Sequence, residues 1–301
     1  MEKYDVAIIG AGPAGLSASL YLCRANKKVL LLEKSAPGGK LLTLPHLDNY
    51  PGVPPTTGML LANSFVESAK DAGAKVEYGN VNSVSKDPFG FLVSSDVTSY
   101  LAKAVIVATG LSFIPSIPGE KEFLSKGVSY CATCDGRFFK NKVMAVVGNG
   151  DRALEEAIYL APLSSELHFF CVDELKGSER YLKAIKEMKN VTIHEKSQVT
   201  KIKGDMKVTG LDYLENGVSH SLDLAAVFPL SGAKSASSFL SPLKVSLDHG
   251  FIKVDDSFAL PSFPGLFAIG DIIVKKLRQV VTAASDGANV SQSVINYLVG
   301  K

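Results

Sequence analysis

Cys131 and Cys134, separated by Ala132 and Thr133 and followed at once by Asp135, place two thiols at the spacing at which a small disulfide ring closes. One thiol of such a pair attacks as the thiolate, so a hydrogen-bond donor or positive potential that lowers its pKa makes it reactive. The same spacing supplies half of a zinc site, which needs two further Cys or His ligands nearby. Cys23 and Cys171 stand far off in sequence, and His168 lies in an apolar strand pattern that suits packing. The four residues therefore read as a redox pair, and no metal is expected.

Such a pair needs an electron source, and the chain carries the pattern that binds one. Tyr4 to Ile9 is an apolar, β-branched run, after which Gly10, Ala11, Gly12, Pro13, Ala14 and Gly15 open a helix running through Leu20 and Cys23. Glycine at 10 permits the tight turn, at 12 lets the backbone approach a pyrophosphate, and at 15 lets helix and strand pack closely. The phosphates then sit on the helix N-terminus, where free amides and the dipole favour negative charge. A second run, Lys28 to Leu32, ends at Glu33, whose carboxylate can accept hydrogen bonds from a ribose. The pattern recurs: Val143 to Val147 reads as a strand, Gly148, Asn149, Gly150, Asp151, Arg152 and Ala153 as the turn, and Leu154 to Leu160 as the helix. Leu167 to Phe170 is then the next strand, with Asp173 at its end.

Two such units in 301 residues predict an α/β protein with two domains. Ala104 to Ala108 reads as a strand closed by Thr109 and Gly110, with Pro115 and Pro118 punctuating the link beyond. The stretch Val191 to Val227 reads as strand-rich, with hairpin signals at Gly204-Asp205 and Asn216-Gly217. The chain then returns to the first domain, through a strand at Leu266 to Ile269 ending at Gly270-Asp271 and a helix from Gln279 to Leu298. The near balance of 32 basic and 30 acidic residues gives no global argument for nucleic acid or membrane. The start of the chain shows no export signal, and no apolar run approaches the roughly 18 residues that span a bilayer. A soluble, cytoplasmic protein in a reducing compartment is expected.

Taken in order, Gly10 to Gly15, Gly38-Gly39, Asn49 to Gly52, Ala108 to Gly110, Cys131 to Gly136, Glu155 to Ala157, Gly270 to Ile272 and Arg278-Gln279 make the chain similar to the low-molecular-weight thioredoxin reductases, over nearly its whole length. The resemblance implies two Rossmann-like domains of three-layer ββα type, the second inserted into the first. An FAD-binding domain would span 1–112 and 243–301, and an NAD(P)-binding-like domain carrying the cysteines would span 116–240. It implies FAD contacts at Gly10, Gly12, Pro13, Ala14, Gly15, Glu33, Lys34, Gly39, Lys40, Leu41, Asn49, Ala108, Thr109, Gly110, Gly270, Asp271, Arg278, Gln279 and Val280. Asp271 would hold a ribityl hydroxyl, although an aspartate there also suits a plain helix cap. In the family the second domain rotates to bring the disulfide alternately to the flavin and to the protein substrate. Cys134 would be the thiol nearer the flavin, Cys131 the one that attacks the disulfide of thioredoxin, and Asp135 the acid and base, unless it only caps a helix. A homodimer is implied as well.

The second turn departs from the family. A His-Arg-Arg triplet normally follows its second strand, where this chain has Cys171, Val172, Asp173, Glu174, Leu175 and Lys176. A 2'-phosphate needs cationic partners, and Asp173 with Glu174 would repel it, which argues against NADPH. A carboxylate at that strand end suits the unmodified ribose of NADH. Arg152, where the family has a small hydroxyl residue, would either bind or displace a pyrophosphate. Nucleotide contacts at Gly148, Gly150, Asp151, Arg152 and Asp173 are thus open, as is a third donor, reduced ferredoxin, which could be steered by Lys275, Lys276 and Arg278 unless these form only a solvated basic turn. Phe228 to Gly232 also departs from the family pattern. The leading expectation is a flavin-dependent thioredoxin-disulfide reductase. Its rivals are an FAD-dependent dithiol oxidase and a non-catalytic flavin redox sensor. A pyridine-nucleotide-dependent ferredoxin reductase fits less well, because those relatives lack the cysteine pair.

Overall fold

The runs Lys3–Ile9 and Val29–Glu33 are buried almost throughout, as strands inside a parallel sheet covered on both faces must be. In the computed structural model, which describes residues 1–300 except 45, 114, 231, 232, 236 and 249, they pair in parallel with Val6 opposite Val29 and Ile9 opposite Leu32. Lys75–Tyr78 joins beyond Val29–Glu33, Ser99–Val107 pairs on the other side of Lys3–Ile9, and Leu266–Ala268 adds to residues 105–107. The first part of Ser99–Val107 also ends an antiparallel meander with Val81–Asp87 and Gly90–Ser95. Helices Pro13–Arg24 and Val280–Leu298 bury Leu16, Leu22, Val290 and Val294 against Ile8, Leu31 and Ile106 on one face of the sheet.

The chain divides into two compact units, Met1–Ser112 with Lys234–Lys301, and Phe113–Ala233. The return to the first unit thus falls at 233/234, upstream of the 243 expected from sequence. The reason is apolar: Phe239, Leu240 and Leu243 belong to the first unit's core with Val81, Val84 and Phe91.

The inserted unit repeats the plan. Val143–Val147 lies between Glu166–Phe170 and Ala226–Pro229, with Val191–His194 outermost, all parallel. Ser197–Gly204, Val208–Glu215 and Val218–Asp223 form its meander, and Asn216 and Gly217 turn the second hairpin with both φ angles positive. Helix Asp151–Leu160 buries Leu154, Ala157 and Leu160 on Met144, Val146 and Phe169. The protein is therefore α/β, built from two Rossmann-like units with one inserted in the other. No helix among the described residues is long and apolar enough to cross a membrane.

In the first unit one crossing sets the position of the glycine turn. A Cβ on Gly287 would lie 2.4 Å from the Ala14 carbonyl oxygen and 2.7 Å from the Ala18 nitrogen, so only glycine lets the last helix approach the first this closely. The Ser17 hydroxyl donates to Ala284 O at 2.7 Å across the same contact. Replacing Gly287 by Ala improves helix propensity but forces backbone apart. We expect a net loss of about 1–3 kcal/mol in urea unfolding, and an unchanged or raised midpoint would show that the crossing yields at no cost.

Candidate active site and cofactor cradle

Cys131 and Cys134 are joined in a disulfide, with Cα atoms 5.3 Å apart. Cys131 is the N-cap of a short helix, Ala132–Asp135, in extended conformation, and its sulfur accepts the Cys134 amide at 3.2 Å. The Thr133 hydroxyl lies 3.4 Å from the same sulfur. The next orphan amide of that turn, Ala132 N–H, donates to Glu156 Oε2 at 2.6 Å, from helix Asp151–Leu160. Gly136 closes the turn against that helix, where a Cβ would lie 2.5 Å from Leu160 Cδ2.

Asp135 does not cap the following turn, Gly136–Phe139, through its side chain. Burial pushes its carboxyl above the usual carboxylate range, and a hydrogen bond from the Ser129 hydroxyl offsets part of the rise. Just before the pair, Tyr130 Oη donates to Glu120 Oε1 at 2.7 Å, while Glu120 Oε2 accepts the Ser116 and Ile117 amides, both at 3.0 Å. Burial, followed by Glu120 itself, raises the Tyr130 pKa. The sequence did not single out Ser129, Glu120 or Tyr130, and it gave Glu156 only as part of a motif.

The remaining cysteines have no such setting. Burial raises the Cys23 thiol and, with help from Glu195 and Asp173, pushes Cys171 up to about 11, which leaves both inert. His168 is buried and faces His194, with Nδ1 to Nε2 at 3.0 Å. Among the described residues no group of three or more side chains could hold a metal ion.

In the first unit, the residues expected around a dinucleotide come together. Gly10 (φ +106°) packs on the strand end, where a Cβ would meet Ala108 O at 2.5 Å, and a Cβ on Gly15 would meet Gly10 O at 2.0 Å. Gly12 has nothing within 4 Å of the place its Cβ would take, and no side chain caps the helix that Pro13, Ala14 and Gly15 begin. An open glycine before an uncapped helix N-terminus fits a pyrophosphate. Glu33 accepts the Ala11 amide at 2.8 Å on one oxygen and the Ser35 amide at 2.9 Å on the other, with lone pairs left for a ribose hydroxyl. Gly39 lies against Gly12, Leu41 is buried, and Lys40 Nζ reaches Asp271 Oδ2 at 3.3 Å. Asp271 is thus an ion-pair partner and no simple cap. Asn49 Nδ2 donates to Gln279 Oε1 at 3.1 Å, and Gln279 and Thr282 form a capping box where Val280 starts the last helix. Gly110 (φ +62°) follows Ala108 and Thr109 at the strand end, and Lys34 is exposed beside Glu33.

The family described as pyridine nucleotide-disulphide oxidoreductase matches residues 4–287. Thioredoxin reductase of Treponema pallidum (strain Nichols) is 37% identical over 98% of this chain and 97% of the relative. That of Bacillus subtilis (strain 168) is 36% identical over 98% and 95%. The chain belongs to the thioredoxin reductases of this family. A solved thioredoxin reductase from Streptococcus pyogenes MGAS5005 superposes with a TM-score of 0.91 at 34% identity, covering 99% of both chains.

The second glycine turn of the chain is built differently from the first. Gly150 (φ +85°) leaves open space where a Cβ would stand, but its amide donates to Lys176 O at 3.1 Å. Asn149 ties the same loop down, donating to Glu174 O at 2.9 Å and accepting the Lys176 amide at 2.8 Å. Asp151 Oδ1 accepts the Ser178 amide at 2.5 Å. Arg152 is half-buried on the first helical turn, Gly148 packs against Ala153, and Asp173 is exposed. Of the departure at Phe228 to Gly232, Phe228 and Pro229 end a strand on Val146 and Val147, while Ser231 and Gly232 lie outside the described residues.

The basic cluster that could either steer a protein donor or form a solvated turn is largely taken up inside the first unit. Lys275 Nζ pairs with Asp286 Oδ2 at 2.5 Å, both side chains nearly buried, and Asp286 also accepts the Gly270 amide at 2.9 Å. Arg278 donates to the carbonyls of Asp271, Ile273 and Lys275 and stacks 4.4 Å over Phe251, leaving Lys276 as the exposed member. Asp286→Asn keeps an acceptor for Gly270 but strands the Lys275 charge. We expect a loss of about 3 kcal/mol in urea unfolding, most of it recovered when Lys275→Met is added.

Proposed function

We propose that this chain is a flavin-dependent thioredoxin-disulfide reductase, with FAD in the cradle of the first unit and a reductant other than NADPH. The observation that carries this reading is the Cys131–Cys134 disulfide at a helix start, with a carboxyl group of raised pKa beside it. When bound, FAD supplies the two electrons that the disulfide takes up. Reduction breaks the sulfur–sulfur bond and, with two protons, leaves two thiols. The Cys134 amide and Thr133 hydroxyl around the Cys131 sulfur favour the thiolate there, so Cys131 passes its proton to Asp135 and attacks the thioredoxin disulfide. One thioredoxin sulfur leaves and takes a proton from Asp135. Cys134 then attacks Cys131 in the mixed disulfide, its proton passing through Asp135 to the second thioredoxin sulfur, and the internal disulfide forms again.

Two features support a donor other than NADPH. Asp173 and Glu174 are the residues at the position where a 2'-phosphate would need cations, and the Gly150 amide is held by the chain's own Lys176 carbonyl. NADH needs no 2'-phosphate site, but it does need the turn. The latched turn therefore favours reduced ferredoxin, a donor that does not use it. A thioredoxin-like substrate, a homodimer and a cytoplasmic setting complete the reading.

Anaerobic titration of the flavin-loaded protein with NADPH, NADH and reduced ferredoxin, followed by flavin absorbance, tests the donor. Ferredoxin is expected to bleach the flavin rapidly and to support thioredoxin reduction, whereas bleaching by NADPH at micromolar concentration would overturn this part. Cys134→Ser is expected to keep FAD bound and to lose disulfide reduction, and thioredoxin turnover in that variant would overturn the whole.

A further inference from the structure

We infer that Glu156 is a positioning residue for the redox turn: its carboxylate holds the turn's first amide and restrains ionisation of the attacking thiol at Cys131. The inference rests on the role of attacking thiol proposed for Cys131 above.

Packing fixes the turn against the helix that carries Glu156. Ala132 is fully buried and shares one core cluster with Ala153, Leu154, Ala157 and Leu160 of helix Asp151–Leu160. Glu156 adjoins Ala157 at the edge of that apolar face and is half-buried, and from there its Oε2 accepts the Ala132 amide at 2.6 Å. Ala132 has no exposed surface, so the carboxylate satisfies an amide that neither the helix nor water would serve. The peptide on the other side of Cys131 is tied down as well. Its amide donates to Ser129 Oγ at 3.1 Å, and its carbonyl accepts the Asp135 amide at 3.2 Å.

The nitrogen that Glu156 holds is bonded directly to the Cys131 carbonyl carbon. Covalent geometry therefore keeps the carboxylate within about 7 Å of the Cys131 sulfur. A like charge so near disfavours a thiolate. A disulfide and a thiol are both neutral, so the charge acts only once Cys131 has lost its proton. Reduction breaks the Cys131–Cys134 bond with two electrons from the flavin, and takes up two protons in acid but only one where Cys131 is ionised. In that alkaline range Glu156 raises the energy of the reduced form and makes the pair a stronger reductant. It also keeps the sulfur nucleophilic, because intrinsic nucleophilicity falls as a thiol becomes more acidic.

Other titratable and charged groups stand near the turn. Arg152 lies one turn before Glu156 on the same helix face and is half-buried, Glu155 is exposed, and Tyr159 approaches Gly136. Asp135 follows Cys134, Arg137 is exposed beyond it, and Tyr130 gives its hydroxyl to Glu120. Removing the Glu156 charge leaves that of Arg152 in place, so the midpoint for Cys131 ionisation moves down.

The test reads the thiol directly. Flavin-loaded protein, reduced anaerobically with dithiothreitol and freed of it, is alkylated with iodoacetamide from acid to alkaline pH, and the modified peptides are followed by mass spectrometry. Cys131 is expected to react before Cys134. Glu156→Gln keeps an acceptor for the Ala132 amide but removes the charge, and is expected to lower the pH midpoint of Cys131 alkylation by about one unit. Glu156→Asp keeps the charge and is expected to hold the wild-type midpoint. Equilibration with dithiothreitol buffers is expected to give wild type and Glu156→Gln the same disulfide–dithiol constant in acid. In the alkaline range the constants are expected to differ about tenfold, equivalent to about 30 mV, with Glu156→Gln the weaker reductant. An unmoved alkylation midpoint in Glu156→Gln, or a redox difference of the same size in acid, would overturn the role of Glu156 alone. Alkylation of Cys134 ahead of Cys131 in the wild type would overturn the role of Cys131, and this inference with it.

Discussion

The amides at the start of a helix have no partner in the helix itself and must find an acceptor or an anion elsewhere. This chain answers that requirement in three ways, and its chemistry follows from the differences. The first glycine turn leaves the helix Pro13–Arg24 without a side-chain cap and Gly12 open, so the acceptor can come from a ligand. The second turn gives the Gly150 amide to the Lys176 carbonyl and fastens the loop with Asn149 and Asp151, so the chain supplies its own acceptor. The redox turn gives the Cys134 amide to the Cys131 sulfur and the Ala132 amide to Glu156. The acceptor there is a sulfur that changes state during the reaction.

The sequence made the turns legible because a glycine turn is a local device. Gly10, Gly12 and Gly15 sit where spacing places them, and the strands at Val143–Val147 and Glu166–Phe170 fall within a residue of expectation. The strands between 75 and 95 were not read, for a physical reason. Val81 and Val84 are the buried residues of Val81–Asp87, and a bulge between Val81 and Ser83 sets them three apart, which destroys the alternation that marks a strand. Helix Glu179–Lys186 was also missed. Its apolar face, Tyr181, Leu182 and Ile185, does pack on the inserted unit's core, but the helix has only eight residues, too few turns for that spacing to stand out.

Much of the site hides from sequence in a different way. Glu156 meets Ala132 across 24 positions, and Asp286 meets Lys275 across 11, at contacts that only the folded unit creates. Read locally, Lys275, Lys276 and Arg278 are a basic patch. In three dimensions Asp286 neutralises the first, and backbone carbonyls with Phe251 absorb the third. Composition could not show this, because the partner of a charge is set by packing. The loop at 174–178 carries the same lesson with opposite sign. The missing cations were legible as residue types, while the latch that fills the turn was not.

The electrostatics of the redox turn bear on the direction of electron flow. A dithiol pair becomes a strong oxidant when its surroundings stabilise the thiolate of the reduced form. The groups bonded to this turn lean the other way. Glu156 lies on its first amide, Asp135 adjoins Cys134, and Glu120 holds the tyrosine that precedes Cys131. Beside these carboxyl groups, the Cys131 sulfur accepts the Cys134 amide and lies against the Thr133 hydroxyl, neutral dipoles that select it as the attacking thiol. Surroundings of this kind suit a pair that hands electrons onward to a substrate disulfide better than one that draws electrons from a dithiol, the opposite direction of flow.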